Sequence, residues 1–146
     1  MRIVAALALI LAGCGSPTVT DEIGLTQVTL PNGVRINAET MRSDAELMRG
    51  MMFRESLPAN RGMLFIHAGE STFRYWMYQT KIPLDIIWMD RNRRIVEISP
   101  DTPPCKSTTP TDCPSYGGNF KVRYVLELNA GAARKNGLKA GDTLEF

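Results

Sequence analysis

At 146 residues with a formal charge of +2, the chain has room for one domain plus appendages and too little net charge to argue for nucleic acid or an anionic surface. Its 44% apolar and 22% charged residues are those of an ordinary globular protein, able to bury a core without a metal. The basic residues are scattered except for Arg91, Arg93 and Arg94, which read as a turn.

The first fourteen residues read as an export signal. Arg2 supplies a minimal positive region, and the apolar run Ile3 to Ala12 is too short to span a bilayer, which takes about 20 residues. It ends in Leu11-Ala12-Gly13-Cys14, which resembles the bacterial lipobox, so Cys14 is the expected site of lipidation and the mature N-terminus. Ser16 is not the aspartate that holds many lipoproteins at the inner membrane, which favours the periplasmic face of the outer membrane. Residues 15–24 are small and polar, a tether between anchor and domain. With Cys14 lipidated, Cys105 and Cys113 remain as a pair, and an oxidising compartment makes a disulfide the default. A free functional thiol at Cys105 is the alternative.

The domain begins near residue 25. Leu25 to Leu30 and Val34 to Glu39 alternate around Pro31-Asn32-Gly33, which predicts a β-hairpin. Ser43 with Glu46 three residues later forms a capping box, followed by Leu47, Met48, Met51 and Met52 at helical spacing. Gly62 to Ile66 reads as a short buried strand and His67 to Thr72 as a loop. Phe73 to Tyr78 alternates, and Leu84 to Asp90 is apolar on both faces, which makes it a central strand with Asp85 as a carboxylate that needs a partner. Arg93 to Ser99 is the hairpin return. Residues 100–119 form a long irregular loop rich in proline, containing both late cysteines. Val122 to Asn129 is a clean strand, Ala130 to Asn136 a helical turn ended by Gly137, and Thr143 to Phe146 a final extended segment.

Read in order, Arg49-Gly50-Met51-Met52-Phe53-Arg54, Gly62-Met63-Leu64-Phe65, Trp76-Met77 with Thr80, Ile82-Pro83-Leu84-Asp85-Ile86, Pro104-Cys105, Tyr116, Tyr124-Val125-Leu126-Glu127 with Ala130-Gly131, and Gly137, Gly141 and Asp142 resemble the domain of unknown function (DUF) 192 family over about residues 25 to 146. The resemblance implies a small, mostly β (α+β) domain, an antiparallel sandwich or barrel with one or two short helices. It implies no established activity. Tyr78-Gln79 stands where Lys-Asn is common in that family, and His67 where an aromatic is common.

No nucleotide loop, G-x-S-x-G, H-E-x-x-H or C-x-x-C motif is present, and His67 is the single histidine, which removes a histidine-rich zinc site. The methionines raise Cu(I) binding, but methionine on an apolar helix face more often fills a core, and no metal or other cofactor is expected. Arg54, Asp85 and Glu127 are the polar residues of interest. One reading makes them an internal arginine–carboxylate pairing; the other makes them, with Trp76, Thr80, Tyr116 and Tyr124, the lining of a binding cleft. The expected protein is a monomeric, non-catalytic envelope module that binds a small molecule or an envelope protein and does not bind nucleic acid. The competing expectation is an enzyme using Asp85 and Glu127 as an acid–base pair, or Cys105.

Overall fold

The computed structural model describes residues 24–146. The expected signal, Cys14 and all but the last residue of the tether lie outside the described residues. Strands β1 (Leu25–Thr29) and β2 (Arg35–Met41) form the expected hairpin, with Val28 opposite Ile36 and Gly33 in the left-handed turn position. Helix α1 (Asp44–Arg49) follows, then β3 (Arg61–Ser71), β4 (Arg74–Trp76), β5 (Leu84–Met89) and β6 (Ile95–Thr102). The chain ends with β7 (Ser115–Gly117), β8 (Val122–Asn129) and helix α2 (Ala132–Lys135). Among the described residues, no helix is long and apolar enough to cross a membrane.

Six strands make one sheet in the order β1-β2-β3-β8-β5-β6, and β4 pairs with β7 in a small second sheet. The domain is mostly β, as expected, and all but one of its strand pairs are antiparallel. The exception is β2 with β3, which runs parallel because the segment carrying α1 crosses over between them. The C-terminal segment bonds to both edges of the sheet: Glu145 exchanges backbone bonds with Thr29 at the end of β1, and the Leu144 amide donates to Arg93 before β6. Both ends of the curled sheet are thus tied together by one short piece of chain.

The period of two along each strand sorts the core into two layers. Leu64, Ile87, Met89, Leu126 and Leu128 face inward with Val28, Ile36 and Leu144. Met63, Phe65, Leu84, Ile86, Trp88 and Val125 face the other way and are covered by Met51, Leu57, Met77 and the β4–β7 pair. All six residues of β5 are buried, in keeping with its reading as an interior strand.

Three segments differ from expectation. Residues 67–71, read as a loop, continue β3, because β3 bends through an irregularity and pairs again at Ser71 with Val122. Ser43 and Glu46 do form the capping box, with the Ser43 amide donating to Glu46 Oε2 at 2.8 Å, but α1 stops at Gly50. Gly50 has φ of 43°, and a Cβ there would lie 3.1 Å from the Phe65 ring. The methionine stripe is consequently split: Met51 is buried and Met48 is exposed. The long loop, finally, is partly ordered as β7, and Cys105 and Cys113 are joined in a disulfide. Reducing that bond in the folded protein is expected to lower stability by up to about 2.5 kcal/mol, from the entropy of the short loop it closes. Thermal unfolding with and without reductant, alongside thiol counting, measures it.

Gly117 fits β7 against the core. Its φ is 73°, and a Cβ there would fall 2.4 to 2.8 Å from three atoms of the Trp88 indole, whose Nε1 donates to the Phe73 carbonyl at 3.1 Å. Gly117→Ala is expected to cost about 2–4 kcal/mol through overpacking and left-handed strain. A urea midpoint unchanged from wild type would contradict this.

Candidate functional site

Because strand residues alternate between faces, β8 sends Leu126 and Leu128 inward and Val125 and Glu127 to the opposite layer. Glu127 lies between Met63 of β3 and Ile86 of β5, its cross-strand partners, in an otherwise apolar row. On the same face of β3, two and four residues beyond Met63, stand Phe65 and His67. Tyr75 of β4 folds over this row, edge-on to Phe65 with centroids 5.1 Å apart, and its hydroxyl hydrogen-bonds His67 Nε2 at 3.0 Å. Phe73 stacks on the His67 ring at 3.5 Å and an interplanar angle of 9°. Helix α1 and the turn through Met52 build the facing wall.

Between these walls is a cavity of about 550 Å³, within the range of small-molecule sites. Leu47, Met48, Met52, Phe73, Trp76 and Tyr78 give it an apolar and aromatic lining. Glu127, His67, Tyr75 and Thr80 bring polar atoms to it, while Asp44, Arg49 and Arg74 supply charge from exposed positions.

Glu127 is the singular group. It is 4% exposed, and its Oε2 is buried without a hydrogen-bond partner among the described residues. Burial pushes its pKa up to about 8, so the carboxyl is mostly neutral at pH 7. Burial also raises the Tyr75 phenol, with a smaller contribution from the Glu127 charge, and lowers His67. At neutral pH the inner polar groups are therefore a carboxylic acid, a phenol and a neutral imidazole. Each can donate or accept a hydrogen bond.

The other two buried acids are satisfied. Glu39 takes both guanidinium nitrogens of Arg54, one at 2.8 Å, and a further bond from Arg61 at 3.2 Å. Asp85 accepts backbone N–H bonds from Asp101 (2.8 Å), Gly131 (3.1 Å) and Ala133 (2.7 Å), closing the first turn of α2. Neither expected reading of Arg54, Asp85 and Glu127 holds as a unit. Arg54 pairs with Glu39, Asp85 has backbone partners, and Glu127 has no arginine partner among the described residues.

Asp85 and Glu127 also lie on opposite faces of the sheet: Glu127 pairs with Ile86, and Asp85, one residue earlier, points the other way. They cannot act on one substrate as an acid–base pair, and the disulfide removes Cys105 as a thiol nucleophile. Of the expected cleft residues, Trp76, Thr80 and Glu127 line the cavity. Tyr116 packs in the same layer without lining it, and Tyr124 lies with Phe146 on the opposite face. His67, Tyr75 and the charged mouth were absent from the expected set. Alternation continued past Ile66 would have found His67.

The sequence from residue 27 to 146 matches the DUF192 family, described as an Uncharacterized ACR. The chain belongs to the DUF192 family. A crystal structure of a protein of unknown function from Novosphingobium aromaticivorans is similar to this DUF192 protein at 30% identity and a TM-score of 0.77, covering 92% of this chain and 94% of that one. A candidate transcription regulator from Sinorhizobium meliloti is similar at 27% identity and a TM-score of 0.71, covering 82% and 89% respectively. No curated protein matches significantly. Membership accounts for the fold, and the cavity's chemistry rests on the residues above.

Proposed function

We propose that this DUF192 protein is a lipid-anchored envelope module that binds a small molecule in the cavity over Glu127. The observation that carries the reading is Glu127, a buried carboxyl with no partner on Oε2 among the described residues, which lines a 550 Å³ aromatic-lined cavity. An unsatisfied buried carboxyl costs about 1–3 kcal/mol, and a bound polar group would recover part of it. The apolar lining supplies burial, and the few convergent polar atoms supply orientation.

Anchoring rests on the Leu11-Ala12-Gly13-Cys14 signal and puts the monomeric domain at the cell envelope, on the periplasmic side of the outer membrane. A nucleic-acid role gains no support from a net charge of +2 with Arg54, Arg61, Lys81 and Arg134 already in ion pairs.

Amide chemical-shift mapping with a library of small aromatic fragments tests the binding reading. Shifts clustered at Gly50, Met52, Trp76, Thr80 and Glu127, abolished by Ser115→Trp at the rim, support it; shifts confined to the opposite face of the sheet would overturn it. For the anchor, the intact mass of the mature chain should correspond to a lipidated Cys14 N-terminus, and Cys14→Ser should remove the lipid. An unlipidated mature chain would refute anchoring while leaving the pocket reading intact.

A further inference from the structure

Resting on the small-molecule reading, we infer that the cavity takes an organic anion: a flat apolar body with a carboxylate at the mouth and a hydroxyl or carbonyl at the inner end. Three features of the cavity select this class.

The mouth is the first. Arg49 and Arg74 line the cavity from exposed positions, and neither has an ion-pair partner among the described residues. Asp44 is the one acid that lines the mouth with them, so the lining residues of the mouth carry a net positive charge. A guanidinium offers a carboxylate a planar fork of donors. The walls are the second feature. Trp76 and Tyr78 lie 5.7 Å apart, and the stacked Phe73 and His67 rings face the same space, which suits a flat ring system.

The inner end is the third. Among the described residues Glu127 has no cation paired with it, and it lies among apolar residues, so it serves as a hydrogen-bonding acid in its neutral form. A cationic ligand would pass two guanidiniums and require Glu127 to ionise. A hydroxyl or carbonyl would instead hydrogen-bond the carboxyl where Glu127 lines the cavity, donating to it or accepting the acid's proton. Raising the pH through the range where Glu127 ionises should then weaken the anion. The charged and titratable groups that face Glu127 across the cavity are His67, Arg74, Tyr75, Tyr78, Asp44 and Arg49. Of these, His67 and Tyr75 are neutral at pH 7 to 9, the one lowered and the other raised by burial.

Isothermal titration of the purified protein with three matched probes tests the inference: 6-hydroxy-2-naphthoate, 2-naphthol and 6-hydroxy-2-naphthylmethylamine. At pH 7 and low salt, the naphthoate is expected to bind about tenfold tighter than either other probe. That margin should vanish in the Arg49→Gln/Arg74→Gln protein. Between pH 7 and 9, naphthoate affinity should fall for wild type and hold for Glu127→Gln. If the amine or naphthol binds as tightly as the naphthoate, the anion class is overturned and the pocket reading survives. If none binds at about 1 mM, a free energy near −4 kcal/mol, both readings fall.

Discussion

Glu127→Gln is expected to abolish a loss of stability that the wild-type protein undergoes as pH rises from about 4.5 to 8. In the folded protein the carboxyl holds its proton up to a pKa of about 8, whereas in the unfolded chain it gives it up near 4.5. Between those values the folded state binds the extra proton, so unfolding becomes easier by about 1.4 kcal/mol per pH unit. The stabilisation is fully present below 4.5 and gone above 8, roughly 5 kcal/mol across the window.

Glutamine has the same shape and does not titrate, so its unfolding free energy should gain on wild type steadily through this range and run parallel outside it. His67 works in the opposite direction, since a lowered pKa makes stability fall as pH drops through its ordinary value near 6.5. Both proteins contain His67, so its effect largely cancels in the difference. Urea unfolding of both at pH 5, 6, 7, 8 and 9 measures that difference. Parallel profiles over the whole range would mean that Glu127 is ionised in the fold, with a partner the geometry does not contain.

Why Glu127 and Asp85 have such different roles could not be read from the chain alone. Each sits on a strand among apolar neighbours, and periodicity locates it on one face or the other of its own strand. Which face of β5 matches which face of β8 depends on register, and only the pairing of Ile86 with Glu127 sets the two carboxylates apart. The partners of Asp85 are likewise distant in sequence, and two of the three lie just past the end of β8.

Local signals fared better because they act through neighbours in the chain. Asn32-Gly33 closes the first hairpin, and Ser43 and Glu46 cap α1. Alternation through Tyr124, Leu126 and Leu128 was enough to trace β8. The parallel β2–β3 pair and the β4–β7 sheet were not legible, since each joins segments across a long connection. His67 opens the stretch to Thr72 that was expected to be a loop. The continued pairing of β3 with β8 extends the strand past it and delivers its ring to Tyr75.

Asp85→Ala is expected to be the most destabilising single truncation within the sheet. The carboxylate is fully buried and is the shared acceptor for the amides of Asp101, Gly131 and Ala133. Those amides belong to the end of β6, the left-handed Gly131 turn and the first turn of α2. Helix α2 is four residues long and has no cap from its own flanking side chains, so Asp85 supplies from the sheet what a local Ser or Asp would otherwise provide. Alanine would strand these donors, at about 3–5 kcal/mol, a large share of the 5–15 kcal/mol typical of a domain. Asp85→Asn keeps one acceptor oxygen but turns an amide toward at least one N–H, so it should recover only part of the loss. Hydrogen exchange should localise the damage: in Asp85→Asn the amides of Gly131 and Ala133 lose protection first, while those of the β1–β2 hairpin keep theirs. Equal stability of Asp85→Ala and wild type would rule out the capping role. An Asp85→Ala protein that stays folded and still binds the probes of the cavity would place Asp85 wholly with the scaffold, on the face of the sheet opposite Glu127.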